Sequence, residues 1–223
     1  MSDGLLSSVW KHKREQLVEV FIGVLALVVS VSCGGVPATH FYTLQLPPPP
    51  GASDVKTSYI LGVDHFQASE ALRDDRIVYF ETPTQLNYYQ YHRWASDPAG
   101  MLEELAIRKL DRAGVFAEVR RLSSGAKADF ILRGRVLNFE EVDQGTGVNG
   151  RVGLELNLIR SSDGATAWSD ARLVERPAEG QGVAGVVKAL SASSDQLMDE
   201  LLPDLIGQVE SEFARNSGRS HSQ

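Results

Sequence analysis

From residue 40 onward, apolar residues recur with two different periods along the chain. His40–Leu46 places Tyr42, Leu44 and Leu46 on one side, and 58–65 repeats this with Tyr59, Leu61 and Val63. That period of two is the signature of half-buried strands. Arg76–Phe80 and Gln85–Tyr89 are two further strand candidates. At Asp97-Pro98 the period changes. A capping carboxylate followed by proline at the first helical position starts a helix. Leu102, Leu105, Ala106, Leu110 and Ala113 continue at helical spacing, and Gly114 closes it.

The second half of the chain carries a stronger pattern. Ala128–Asp143 is a long strand candidate, with a bulge expected near Gly134. Arg151–Arg160 alternates strictly: Val152, Leu154, Leu156 and Leu158 point inward, and Gly153, Glu155 and Asn157 point outward. Ser162, Asp163 and Gly164 mark a tight turn, and Thr166–Glu175 returns. This is an antiparallel meander with one wet face. From Gly182 the stripe Val186, Leu190, Leu197, Leu201, Leu205, Val209 is helical, and Pro203 is expected to kink or split that helix. The polar residues from Arg215 to Gln223 read as a disordered tail. Strands come first, then a helix, a strand, a meander and a helix. The fold class is therefore α+β: a mainly antiparallel mixed sheet with a C-terminal three-stranded meander and two principal helices packed on one face.

The N-terminal segment follows neither period. Lys11, His12, Lys13 and Arg14 precede twelve uncharged residues, Val20–Val31, and Ser32, Cys33, Gly34 and Gly35 follow. A cationic start, a short apolar run and small residues at its end form a secretory signal. A bilayer-spanning helix needs about 20 apolar residues. The expected organisation is a signal over 1–32, a lipidated Cys33 with a linker over 33–52, and a domain over 53–214 whose first strand starts near residue 40. Pro47–Pro50 gives the linker a stiff stretch or forms a surface loop. The position of Cys33 resembles that of the acylated cysteine in a bacterial lipoprotein signal, although Ser30 stands where such signals usually carry a large aliphatic residue. The alternative is an uncleaved inner-membrane signal anchor.

Composition narrows the chemistry. The chain has 223 residues, 43% hydrophobic and 23% charged, with a net charge of −7, which is ordinary globular usage. An acidic domain without a basic tract is a poor ligand for a phosphate backbone, so nucleic acid is not an expected partner. The single cysteine forms no internal disulfide. His40, His65, His92 and His221 show no metal-ligand spacing along the chain, so no metal site is expected. Gly180, Gly182 and Gly185 match GxGxxG but lack the βαβ frame that a dinucleotide needs, so no cofactor is expected. Glu140 and Glu141 are neighbours that a strand sends to opposite faces. No base, orienter and oxyanion donor occur together, so no catalytic residue is assigned. Asn87–Trp94 packs three tyrosines, a histidine, an arginine and a tryptophan into eight residues. Such rings and arginines are enriched at binding hot spots and are equally at home over a core edge. Tyr88, Tyr91, Arg93 and Trp94 are the partner-binding candidates. Trp94, beside the helix cap, is expected to be buried, and Tyr91 and Arg93 are the better contact residues.

HFYTLQLP, the segment RIVYFETPTQLNYYQYHRWASDPAGMLEELAIRKL, and ADFILRGRVLNFEEVD followed by RVGLELNLIRSSDG are similar to the ABC-type transport auxiliary lipoprotein family. Tyr42-Thr43-Leu44 resembles its opening strand. Tyr91, Arg93, Trp94 and Ala95 resemble its Tyr-x-x-Trp-Ala stretch. The resemblance spans about residues 40 to 207. It implies a non-catalytic subunit beside a mammalian-cell-entry (MCE) protein and an ABC permease and ATPase, in a system that moves lipids across the envelope. It further implies an outer-membrane lipoprotein facing the periplasm, and leaves a homo-oligomer open. The competing functions are a periplasmic lipid carrier with its own cavity and a periplasmic enzyme.

Overall fold

Alternation builds the centre of the sheet. The computed structural model describes residues 36–45, 55–123, 126–143, 145, 147–180 and 182–220. The charged start, the apolar run, Cys33 and the proline run lie outside the described residues. From Thr39 onward the chain forms one compact unit.

Among the described residues there are nine strands and three helices. The strands are β1 (His40–Tyr42), β2 (Ile60–Val63), β3 (Gln67–Ala68), β4 (Arg76–Thr82), β5 (Gln85–Trp94), β6 (Glu118–Arg121), β7 (Phe130–Asp143), β8 (Val148–Arg160) and β9 (Thr166–Pro177). The helices are α1 (Glu70–Arg73), α2 (Pro98–Ala113) and α3 (Val183–Ser220).

β7 organises the sheet. One of its edges pairs with β8 over nearly its whole length, and β8 pairs with β9, both antiparallel. The other edge is shared in succession by β2, β3 and β4, all parallel to it. β4 continues antiparallel to β5, and β5 continues parallel to β1. β2 carries β6 in parallel. The long ladders are the antiparallel meander, and the short ones are mostly parallel. Val152, Leu154, Leu156 and Leu158 are all fully buried, as their strict alternation predicts.

The helices follow from capping and stripe. The Asp97 side chain accepts the Gly100 N–H at 2.9 Å, and Gly114 ends α2 in the left-handed region at φ 67°. Leu102, Leu105, Ala106 and Leu110 face the core. α3 buries Val186, Leu190, Leu197, Leu201, Leu205 and Val209 against β8 and β9. Buried Lys109 of α2 reaches Asp195 and Asp199 of α3 at 2.6 Å each and ties the helices together.

Three expectations are corrected. Of the two outcomes expected at Pro203, a kink or a split, the split does not occur: α3 is one continuous helix. Pro203 is exposed, so the carbonyl freed by its missing N–H opens to water. α3 also continues past Arg215 to Ser220. Near that end the Phe213 ring meets Tyr59 edge to face at 5.6 Å, and the Asn216 amide donates to the Tyr59 hydroxyl at 3.0 Å. The bulge in β7 lies between Val136 and Asn138 rather than at Gly134. Gly134 stays in register with Leu156, and the Phe66 ring lies against it. A Cβ there would sit 2.6 Å from that ring.

Candidate functional site

β5 is irregular, and this sorts its aromatic residues. Val78 faces Tyr88 across the β4–β5 ladder, whereas Arg76 faces Arg93, so extra residues of β5 bulge out between the two pairs. The four candidate residues therefore separate. Tyr88 is partly buried: the Arg76 guanidinium lies 4.3 Å from its ring centroid, and its hydroxyl donates to the Ala71 carbonyl at 3.4 Å. Trp94 is 2% exposed and packs edge to face on Phe139 at 5.3 Å. Arg93 is partly exposed and pairs with Asp75 at 2.5 Å. Tyr91 is half-buried.

β1 supplies what the sequence reading left out. In the parallel β1–β5 register, Phe41 partners Arg93, His40 partners His92, and Tyr42 partners Trp94. Phe41 therefore shares a face with Arg93. It is 65% exposed, on a strand with no further neighbour among the described residues. The signal was present: alternation that turns Tyr42 and Leu44 inward turns Phe41 outward.

The opposite face of the same strands carries a ring cluster. His40 stacks on His92 at 5.4 Å, and the Tyr42 hydroxyl lies 2.9 Å from His92 Nδ1. The Tyr89 ring meets His92 edge on at 5.6 Å and Tyr79 at 4.8 Å. The Tyr89 hydroxyl donates to Glu141 at 2.7 Å. Burial, then this bond, push the Tyr89 pKa far up. Burial also raises Glu141, against the Tyr89 hydrogen bond.

Glu140 and Glu141 do point to opposite faces. Glu140 accepts from Asn138 and from the Phe139 N–H and lies 3.7 Å from Arg151. Burial raises its pKa against those contacts. Each carboxylate is thus held by its own structural partners. Gly180 and Gly182 adopt positive φ in the turn from β9 into α3, and a Cβ on Gly185 would strike the Glu179 carbonyl at 2.7 Å. The glycine motif is turn and helix-start geometry. An open cleft of about 660 Å³ lies where β2, β7 and the end of α3 meet. Tyr59 and Phe130 line it together with Lys127, Asp129 and the Arg160–Glu212 ion pair.

Among the described residues no helix is long and apolar enough to cross a membrane, and no group of three or more His, Cys, Asp or Glu is arranged to hold a metal ion.

With this geometry the relationships to known proteins are consistent. The family model for the ABC-type transport auxiliary lipoprotein component matches residues 42–201. The chain belongs to that family, which places it among cell-envelope lipoproteins that accompany transporters. No curated protein matches it. A Xanthomonas campestris protein of the DUF330 family is 25% identical, with a TM-score of 0.70 over 78% of this chain and 98% of its own. An uncharacterized protein is 17% identical, with a TM-score of 0.60 over 76% and 99%, and shows the shared fold alone. A PelC dodecamer from Paraburkholderia phytofirmans is 20% identical, with a TM-score of 0.44 over 69% and 91%.

Proposed function

We propose that this chain is the non-catalytic docking subunit of an ABC/MCE-type envelope lipid transport system. It is held at the outer membrane by acylated Cys33 and faces the periplasm. Phe41 carries this reading: a ring 65% exposed on a short edge strand, in register with Arg93. An exposed ring beside an arginine, with Tyr91 two residues away, has the composition of a binding hot spot. Tyr88 and Trp94 support that surface from below, and Phe41, Tyr91 and Arg93 make the contact. The partner is the MCE-domain protein of the permease complex.

A lipid carrier would need an apolar pocket that covers most of its ligand. The cleft of about 660 Å³ is open and its lining includes a charged pair, which favours docking over carriage.

The test is the affinity of the detergent-solubilised full chain for its MCE-domain partner. Phe41→Asp and Arg93→Ala are each expected to weaken binding by about thirtyfold, the loss of about 2 kcal/mol typical of a hot spot. Wild-type affinity in both variants overturns the assignment of this surface. Failure of the wild-type chain to retain any MCE-domain protein overturns the function.

A further inference from the structure

The open edges of the sheet are not alike. Among the described residues, β1, β6 and β9 each pair with one strand only and stand at ends of the sheet. An edge strand offers unpaired N–H and C=O groups to any extended chain, and folded proteins usually blunt it with charge. β6 carries Glu118, Arg120 and Arg121, and β9 carries Asp170, Arg172, Glu175 and Arg176. Around β1 the chain reads Thr39-His40-Phe41-Tyr42-Thr43-Leu44, with no aspartate, glutamate, lysine or arginine. The β6 and β9 edges are protected, whereas the β1 edge shows a ring that is 65% exposed.

The register fixes which backbone groups β1 leaves free. Tyr42 partners Trp94, and its carbonyl accepts the Ala95 N–H at 2.7 Å. In a parallel ladder, residues whose N–H and C=O face the neighbouring strand alternate with residues whose groups face away. His40 and Tyr42 therefore bond toward β5, and Phe41 presents its N–H and C=O to the open side. Tyr42 and Leu44 turn toward the core, and Thr43 between them is exposed. The alternation thus runs one residue past β1, and Thr43 presents the same pair of groups.

We propose that the β1 edge receives an extended segment of the docking partner, which adds a strand to the sheet through main-chain hydrogen bonds to Phe41 and Thr43. The proposal rests on the docking reading above and specifies the form of the partner. In strand addition the main chain supplies affinity, and side chains at alternate positions supply selectivity. Phe41 shares its face with Arg93, so the segment that fits sets an apolar side chain against the ring. A helix does not satisfy this edge, because its own N–H and C=O groups are bonded within it.

β1 is held in place before the partner arrives. Leu44 is buried, and the Gln45 N–H donates to Ser191 Oγ of α3 at 3.0 Å. The Tyr42 hydroxyl lies 2.9 Å from His92 Nδ1. An edge fixed in this way loses little freedom on binding, which is the advantage of a preorganised surface.

The experiment follows hydrogen exchange of single amides by NMR in the full chain in detergent, alone and with its MCE-domain partner. The Phe41 and Thr43 amides should exchange freely in the isolated chain and about tenfold or more slowly in the complex. Thr43→Pro removes one outward donor and leaves the β1–β5 bonds in place. It should weaken binding by roughly tenfold, the cost of a hydrogen bond whose acceptor is left unpaired. A retained partner with both amides still exchanging freely, or wild-type affinity in Thr43→Pro, overturns strand addition and leaves the docking surface standing. A chain that retains no partner overturns both. Slow exchange of these amides in the isolated chain also overturns the proposal, and its dependence on protein concentration tells a second copy from the chain's own segments.

Discussion

Trp94 ends β5 with its ring set edge to face on Phe139 of β7, 5.3 Å between centroids. Its N–H donates to the Asp75 carbonyl, so the ring and the backbone of one residue join three segments. Trp94→Ala leaves a cavity in a closed site and is expected to cost about 3–5 kcal/mol, as deletions of large buried aromatics do. Tyr91→Ala, at a half-buried position, should cost about 1 kcal/mol or less. Urea denaturation of both variants measures this. A wild-type midpoint for Trp94→Ala would rule out the packing role.

Glu141 offers a pH-dependent test. Burial raises its folded pKa above that of the unfolded chain. A group shifted upward contributes stability that is fully present below its unfolded pKa and is lost as pH rises through the folded value. Ionised Glu141 is therefore a cost at neutral pH. Glu141→Gln keeps an oxygen for the Tyr89 hydroxyl and removes the charge. Its melting temperature should exceed that of the wild type near pH 7, and the gap should narrow toward about pH 4, where carboxyls protonate. A gap that widens on acidification contradicts this account.

Glu212 carries the opposite sign. Arg160 binds both its oxygens, at 2.5 and 2.9 Å, and chiefly through those bonds holds its pKa below the ordinary carboxylate range. That stability is present above the unfolded pKa and is lost as pH falls through the folded one. Glu212→Gln should cost about 1–2 kcal/mol at neutral pH, the scale of a charged hydrogen-bonded pair reduced for the part of Arg160 open to solvent. Faster amide exchange in the last turns of α3 reports it. Unchanged exchange there would show that Phe213 and Asn216 alone dock the helix end.

The anchor has its own test. Cys33→Ala should leave a full-length precursor and abolish acyl labelling. Labelling that survives in this variant excludes Cys33 as the lipidated residue.

What was legible in the sequence follows how far each signal extends along the chain. β8 was legible because Val152 to Leu158 set their own period. α2 was legible because Asp97, Pro98 and Gly114 are local stop and start chemistry. β3 and β6 were not, since strands of two and four residues are defined by the edge they meet. Gly134 suggested a bulge because the sequence cannot show that Phe66 needs its space. Tyr88 and Arg93 looked alike along the chain, and only the irregular β4–β5 pairing shows that the Tyr88 ring packs under Arg76 while the Arg93 guanidinium pairs with Asp75. Trp94 was placed correctly by its position beside the helix cap. The His40–His92 contact had no local signal, because parallel strands bring together residues that share no neighbourhood in the chain.

The divided edge of β7 has a kinetic consequence. β7, β8 and β9 follow one another through short turns, and α3 comes directly after them, so the C-terminal half closes only small loops as it forms. β2, β3 and β4 reach β7 across roughly sixty to seventy residues, and such closures carry a larger entropic cost before any contact compensates for it. The meander and α3 are expected to form first and to serve as the template to which the N-terminal strands are added. The N-terminal strands are synthesised first and wait, unpaired, for the half of the chain that receives them.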